Sequence, residues 1–253
     1  MGDGQLTDMK AIGLIPVRLQ SKRLPGKALL NIDGLPLIIH TAKRATLAKN
    51  LSEVFVCTDN NEIIRECKKY NINFIKTSSN FQNGTERIAS VAYKFKKKII
   101  LDIQGDEPLI NPNHIEKIIE FHKKNLRKID IVIPTIKSPY NSLPTIIRVM
   151  SSKNGRVMYL SRSKIPHQYA ENVNYIKKHL SIISFSSEAL AKYAKLERSF
   201  FENIEDIELL RALENNMKVY SFDLEGNSFS VDIYDDYLRA KTAMSSDPFR
   251  KLY

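Results

Sequence analysis

Cysteine is scarce in this chain, with two among 253 residues. Cys57 and Cys67 cannot build a disulfide framework, and such sparing use suits a reducing cytoplasm. Long apolar runs are absent as well. None approaches the ~20 residues needed to cross a bilayer, so membrane insertion is not expected. The opening MGDGQLTDMK lacks the basic and apolar regions of a secretory signal and reads as a flexible leader over 1–10. The histidines, His40, His114, His122, His167 and His179, form no H-E-x-x-H or Cys/His grouping, which argues against structural zinc. No nucleophile elbow or Ser-His-Asp logic is visible. A G-x-G-x-x-G fingerprint is missing too. LPGK (24–27) is not a Walker A tail, because Ser21 stands where the first glycine belongs and Ala28 follows the lysine.

Acidic residues are in deficit, 28 against 39 lysines and arginines, for a formal charge of +11. That surplus is dispersed. KFKKK (94–98) and HKKNLRK (122–128) each close a helix-like segment, where cations complement the helix C-terminus. Neither has the aromatic interleaving of a single-strand platform, and no DNA-binding motif is present. These runs read as solvated faces, so nucleic acid is not an expected partner and a taste for anions is.

Apolar runs of strand length alternate with amphipathic stretches of helix length. AIGLIPV (11–17) is followed by a basic loop and a predicted helix over 35–50. EVFVCTD (53–59) leads to a helix over 60–71, with Asp59 or Asn60 as its N-cap. INFIK (72–76) precedes a helix over 84–98. IILDIQ (99–104) ends at GDEP, and the helix over 111–125 opens with proline in its first turn. IDIVIPT (129–135) is the next strand. Near-continuous apolar strands predict burial on both faces, hence an α/β fold with a mostly parallel central sheet. From 136 to 186 the rhythm breaks: Pro139, Pro144 and Pro166 with short strand-like pieces predict a small embedded antiparallel lobe. Helices over 187–197, 204–217 and 234–244 and a strand over 218–223 close the chain. One domain over 11–253 is the predicted organisation.

In an open parallel sheet, ligands bind at the carboxyl ends of strands. Three clusters fall there: RLQSKRLPGK (18–27) after the first strand, TD (58–59) after the second, and QGDEP (104–108) after IILDI. A cationic loop meeting an acidic turn on one edge is what a metal–nucleotide site needs. Gly26 would let backbone approach a ligand, while Arg18, Arg23 and Lys27 would neutralise an anion such as a triphosphate. Asp106 is the best candidate metal ligand. Asp232, in SVDIYDD, is a candidate second carboxylate, against the alternative that it caps the following helix. NGTER (83–87) would expose backbone N–H groups at a positive helix end, with Arg87 one turn in.

IPVRLQSKRLPGK, VFVCTD, NGTER, QGDEP, YLSRSKIP, KHLSI and IEDIELLRALE, in that order, resemble the 3-deoxy-manno-octulosonate (Kdo) cytidylyltransferase family from residue 11 to about 244. The resemblance implies a GT-A-like nucleotidyltransferase fold and a homodimer. CTP and a 3-deoxy-2-ulosonic acid would be the substrates, with Mg²⁺ as cofactor, in the service of lipopolysaccharide or capsule. It places Arg18, Ser21, Arg23 and Lys27 on the triphosphate, Thr85, Arg87 and Gln104 at the nucleotide, and Asp106 and Asp232 on Mg²⁺. Arg162, His179 and Glu208 match positions lining the sugar side. The departures concentrate there. ELLR stands where the family usually reads EQLR, putting Leu209 in place of an amide, and Lys178, Ser181 and Ile183 replace an arginine, a glycine and a tyrosine. Cytidylyl transfer to Kdo or a close variant such as 8-amino-Kdo is the expected activity. A nonulosonate-type enzyme and an inactive nucleotide-binding homologue are the alternatives. Ala28 argues against the first, since the sialic-type loop ends in asparagine after its lysine. The retained Lys27, Asp106 and Asp232 argue against the second.

Overall fold

The computed structural model describes residues 10–21, 23–141 and 145–253. The expected leader, apart from Lys10, and Pro144 of the expected lobe lie outside the described residues. In chain order the elements are β1 (Ala11–Pro16), β2 (Asn31–Ile32), β3 (Leu35–Pro36), α1 (Leu37–Thr46), β4 (Leu51–Thr58), α2 (Asn61–Lys69), β5 (Phe74–Lys76) and α3 (Gly84–Ala92). There follow β6 (Ile99–Ile103), α4 (Pro112–Asn125), β7 (Ile131–Pro139), β8 (Arg148–Ser151), β9 (Val157–Ser161), β10 (Tyr175–His179) and β11 (Ile182–Ser186). The last are α5 (Ser187–Tyr193), α6 (Phe200–Glu205), α7 (Leu209–Glu214), β12 (Val219–Asp223) and α8 (Tyr234–Met244).

One mixed sheet runs β5-β4-β1-β6-β11-β7-β10-β8-β9, with β12 also paired to β7. β5, β4, β1 and β6 are mutually parallel, as is the β7–β12 pair. β1 and β6 are buried along their whole length, as their apolar sequences, broken in β6 only by Asp102, predict. Successive side chains then serve opposite faces. Ala11 and Ile15 pack with Ile38 of α1 and Ile118 of α4, whereas Ile12 and Leu14 pack with Ile88 of α3 and Leu210 of α7. The α/β reading is therefore met. The strands β8, β9 and β10 of the expected lobe continue the same sheet in antiparallel register.

Several helix boundaries differ from the sequence reading; the helix read over 187–197, for example, stops at Tyr193. Leu35–Pro36, read as helix, instead pairs with Asn31–Ile32 around Asp33 and Gly34, both at positive φ, as a tight two-residue hairpin turn demands. The helix read over 84–98 stops at Ala92, leaving KFKKK beyond it. The helix read over 204–217 is two helices. Asp206 takes the left-handed conformation, φ 52° and ψ 47°, ending α6 before α7 begins at Leu209. That break places Ile207 and Glu208 on the wall of a cleft of about 460 Å³.

A third apolar cluster ties the basic loop to the C-terminal segment. Leu24 and Ile32 pack with Phe229, Val231 and Met244. It anchors the loop's backbone, from which Arg23 and Lys27 reach Asp232.

Candidate active site

The chain leaves β1 at Pro16 and turns back at Gly26, whose φ of 68° suits a residue without Cβ. The 3-10 turn Lys27–Leu29 follows and buries Ala28. Arg18 and Arg23 are exposed, while Lys27 is half-buried. Lys27 Nζ donates to Asp106 Oδ2 at 2.5 Å, to Asp232 Oδ1 at 3.3 Å and to Val231 O at 3.1 Å. Arg23 Nη2 donates to the same Asp232 Oδ1 at 2.8 Å. Arg18 donates to Gln82 O. Burial works against the charge of Lys27, but Asp106 and Asp232 outweigh it and hold the ammonium above the ordinary lysine range.

The two acids meet because the backbone brings them together: Val231 N donates to Asp106 O at 2.9 Å. The capping alternative for Asp232 does not hold. Ile233 occupies the N-cap position of α8, and Asp236 Oδ2 accepts from both Asp232 N and Ile233 N at 3.1 Å. The Asp232 carboxylate is thereby left to face Lys27 and Arg23.

The opposite wall is the start of α3. A Cβ on Gly84 would lie 2.9 Å from Pro16 Cγ and 3.2 Å from Gln104 Nε2, so only glycine lets the helix approach the sheet this closely. Asn83 caps it, accepting from Glu86 N at 2.8 Å. Thr85 is fully buried and lines neither of the two main clefts. Its Oγ1 donates to Asp102 Oδ2, and the other Asp102 oxygen accepts from Gln104 Nε2, each at 3.0 Å. Sequence reasoning passed over Asp102; its one signal was an acid inside the apolar run IILDIQ. Arg87 is 1% exposed and pairs with Asp59 at 2.8 Å, joining the TD cluster to NGTER.

Arg162, placed on the sugar side by the sequence resemblance, packs into the bend between α6 and α7. Its Nε donates to Glu205 O at 2.9 Å and its Nη2 to Asp206 O at 3.1 Å. Burial pushes His179 down to about 4, which leaves its ring neutral near pH 7. Burial likewise pushes the Glu208 carboxyl up to about 7, although its Oε2 accepts from Thr85 N at 3.3 Å. Asp102, buried behind it, is displaced in the same direction by burial and by Glu208 itself.

These residues line two adjoining clefts. The larger, about 460 Å³, holds Arg162, His179, Glu208 and Asp232 with an apolar wall of Ile147, Ile183 and Leu209. The smaller, about 230 Å³, holds Ser21, Ala28 and Arg87. Arg18, Lys27, Gly84, Gln104 and Asp106 belong to both. Lys178 instead turns to Ser228 O at 3.1 Å, outside the larger cleft.

Among the described residues no three His, Cys, Asp or Glu side chains gather as a metal cage. Mg²⁺ does not need one, since it keeps several waters and takes one or two carboxylates together with substrate phosphates. Asp106 and Asp232 already converge on one cation, Lys27 Nζ. The pair fits that pattern.

The sequence profile of the cytidylyltransferase family matches residues 12–219. The chain is 38% identical over 218 residues to the 3-deoxy-manno-octulosonate cytidylyltransferase of Chlorobium limicola, covering 83% of this chain and 87% of that protein. It is 32% identical over 242 residues to the protein of the same name from Chloroherpeton thalassium, covering 94% and 98%. Among solved structures, CMP:2-keto-3-deoxy-manno-octonic acid synthetase complexed with CTP superposes with a TM-score of 0.87 at 28% identity, over 93% of this chain and 98% of that one.

Proposed function

The chain belongs to the 3-deoxy-manno-octulosonate cytidylyltransferases, and on that footing we propose that it transfers CMP from CTP to the anomeric hydroxyl of 3-deoxy-manno-octulosonate or a close variant, releasing pyrophosphate. The observation that carries this reading is the convergence of Lys27, Asp106 and Asp232 at the mouth of a cleft lined by Arg18 and Arg23.

In the reaction the anomeric hydroxyl gives up its proton to water as its oxygen forms a bond to the α-phosphorus of CTP. The bond from that phosphorus to the β-bridging oxygen breaks, and pyrophosphate leaves with its electron pair. Little covalent work falls to the protein, so positioning and charge neutralisation carry the acceleration. Arg18, Ser21, Arg23 and Lys27 hold the triphosphate, and the three cations offset the charge that accumulates on pyrophosphate. Arg87 and Gln104 flank the nucleotide, and Thr85 acts through Asp102 to hold Gln104. Asp106 and Asp232 are the residues that would hold Mg²⁺, whose positive charge neutralises phosphate oxygens when bound. Arg162, the neutral ring of His179 and Glu208 face the sugar acid. The apolar wall of Ile183 and Leu209 tunes which acid is accepted, since sites reject ligands whose polar groups go unpaired.

A homodimer in the cytoplasm is part of the same reading. β9 ends the sheet with Met158 58% exposed, and Phe200 and Ile204 of α6 are 68% and 64% exposed. A second copy of the chain would cover such apolar side chains. No helix of the described residues is long and apolar enough to cross a membrane.

Pyrophosphate release tests the whole assignment. CTP with 3-deoxy-manno-octulosonate or its 8-amino variant should support turnover in the presence of Mg²⁺, UTP should support far less, and nonulosonates should be poor acceptors. CTP binding with no release from any sugar acid would defeat it.

A further inference from the structure

The QGDEP turn carries a second acid that the reaction above does not use. Glu107 is 2% exposed and lines neither main cleft. Its oxygens accept from Ser228 Oγ at 2.5 Å and from Ser230 Oγ at 3.1 Å. The Lys178 ammonium, donating to Ser228 O, complements the Glu107 charge. Ser230 Oγ also lies 3.0 Å from Ser181 Oγ. Ser181 and Ser230 both line the larger cleft, and Ser181 sits in the bend between β10 and β11, its carbonyl held by Gln104 N at 3.0 Å.

A serine hydroxyl has one proton and two lone pairs. The proton of Ser230 goes to Glu107, so Ser230 can only accept from Ser181. The proton of Ser181 is therefore committed to Ser230. A buried carboxylate thus fixes the direction of a two-hydroxyl relay that ends at the cleft, where Ser181 presents lone pairs and nothing else.

The geometry points to Ser181 as a specificity-determining residue for the acceptor substrate: an acceptor-only hydroxyl that reads a hydrogen-bond donor, a hydroxyl or an ammonium, on the sugar acid. This rests on the function proposed above. A ligand group that cannot donate there leaves two acceptors facing each other in a partly desolvated cleft, which is costlier than the loss of one bond. Serine in place of a smaller, featureless residue at 181 supplies this contact, and serine at 230 directs it.

The test uses 3-deoxy-manno-octulosonate and a set of analogues in which each hydroxyl except the reacting one is replaced in turn by fluorine, which accepts but does not donate. The wild-type enzyme is expected to lose about tenfold in kcat/KM for the analogue altered at the position Ser181 reads. Ser181→Ala should raise the KM for the parent acid, leave the KM for CTP in place, and erase the discrimination at that one position. Ser181→Thr, which keeps the hydroxyl, should retain it. Ser230→Ala frees the Ser181 proton and should weaken it. Because each variant is compared with itself across the analogues, a general loss of folding does not imitate the result. An unchanged discrimination pattern in Ser181→Ala overturns the assignment of Ser181, and an unchanged pattern in Ser230→Ala overturns the relay. A wild-type enzyme that forms no CMP conjugate with the parent acid overturns the proposed function, and this inference with it.

Discussion

Lys27 donates to Asp106 across 2.5 Å, joining the first loop of the chain to the turn after β6. The same ammonium reaches Asp232, so three segments far apart in sequence are held by one charge cluster at the carboxyl edge of the parallel strands. Two carboxylates would be repelled from each other without a cation between them. Lys27 supplies that cation; in the function proposed above, a divalent ion held by the two acids would leave the lysine free to meet phosphate.

Asp106→Asn and Asp232→Asn remove the negative charges proposed to hold Mg²⁺ and keep the side chains' shape. Each is expected to lower turnover at least about a hundredfold, in line with the removal of one electrostatic contact to a charged transition state. Thermal unfolding should change little, because both side chains are partly exposed and lie outside the apolar clusters. Pyrophosphate release with increasing Mg²⁺ is the measurement. Near-normal rates in either variant would refute the pairing of these acids in metal binding.

Gly84→Ala places a methyl 2.9 Å from Pro16 Cγ, an atom of a rigid ring on a buried strand. The helix must retreat or the strand must shift, at a cost of about 1–3 kcal/mol. Gln104 Nε2, 3.2 Å from the same point, is disturbed as well. The expected outcome is a lower melting temperature together with a raised KM for CTP. A variant as stable and as active as the parent would show that α3 does not need this close approach.

Asp206 takes φ 52° without being glycine, a conformation that disfavours any residue bearing a Cβ. Asp206→Gly should be neutral to stabilising, whereas Asp206→Val should cost about 1–2 kcal/mol and impair the acceptor site through Glu208 and Arg162. Denaturant unfolding and the acceptor KM report the two effects separately. Equal stability for glycine and valine would mean that the break is set elsewhere.

This break also marks the limit of what the sequence discloses. IEDIELLRALENNM keeps helical apolar spacing straight through Asp206, and no glycine or proline announces the turn. By contrast, α8 was legible to the residue, and the basic loop and QGDEP stood out because charge and glycine interrupt strongly apolar strands. The Asp33-Gly34 hairpin was signalled by its Asp-Gly pair and read past, since the following LPLIIH continues so well as helix. β9 and β10 were missed because their exposed and buried residues do not alternate cleanly. Partners such as Glu107 and Ser230 are set by tertiary approach of segments far apart in the chain, which no local pattern encodes. The choice between cap and cleft for Asp232 had to wait for Asp236, which takes over the capping of α8.

Glu208 offers a prediction with a definite sign. Burial raises its carboxyl from an ordinary value of 4.5 to about 7 in the folded chain. Below pH 4.5 folded and unfolded states both carry the proton, and the group costs nothing. As pH rises from there toward 7, the unfolded chain releases its proton while the folded chain retains it, so stability is lost across that window and levels off above it. Asp102 acts in the same direction. Glu208→Gln, which cannot ionise, should remove part of this dependence, roughly 1–3 kcal/mol of the difference between pH 5 and pH 8. Urea unfolding of parent and variant at the two pH values is the check, read as the difference between their slopes so that other titrating groups cancel. Identical pH dependence in the two proteins would place Glu208 in water-like surroundings, and the cleft wall between α6 and α7 would then have to be more open than its packing against Thr85 and Tyr193 allows.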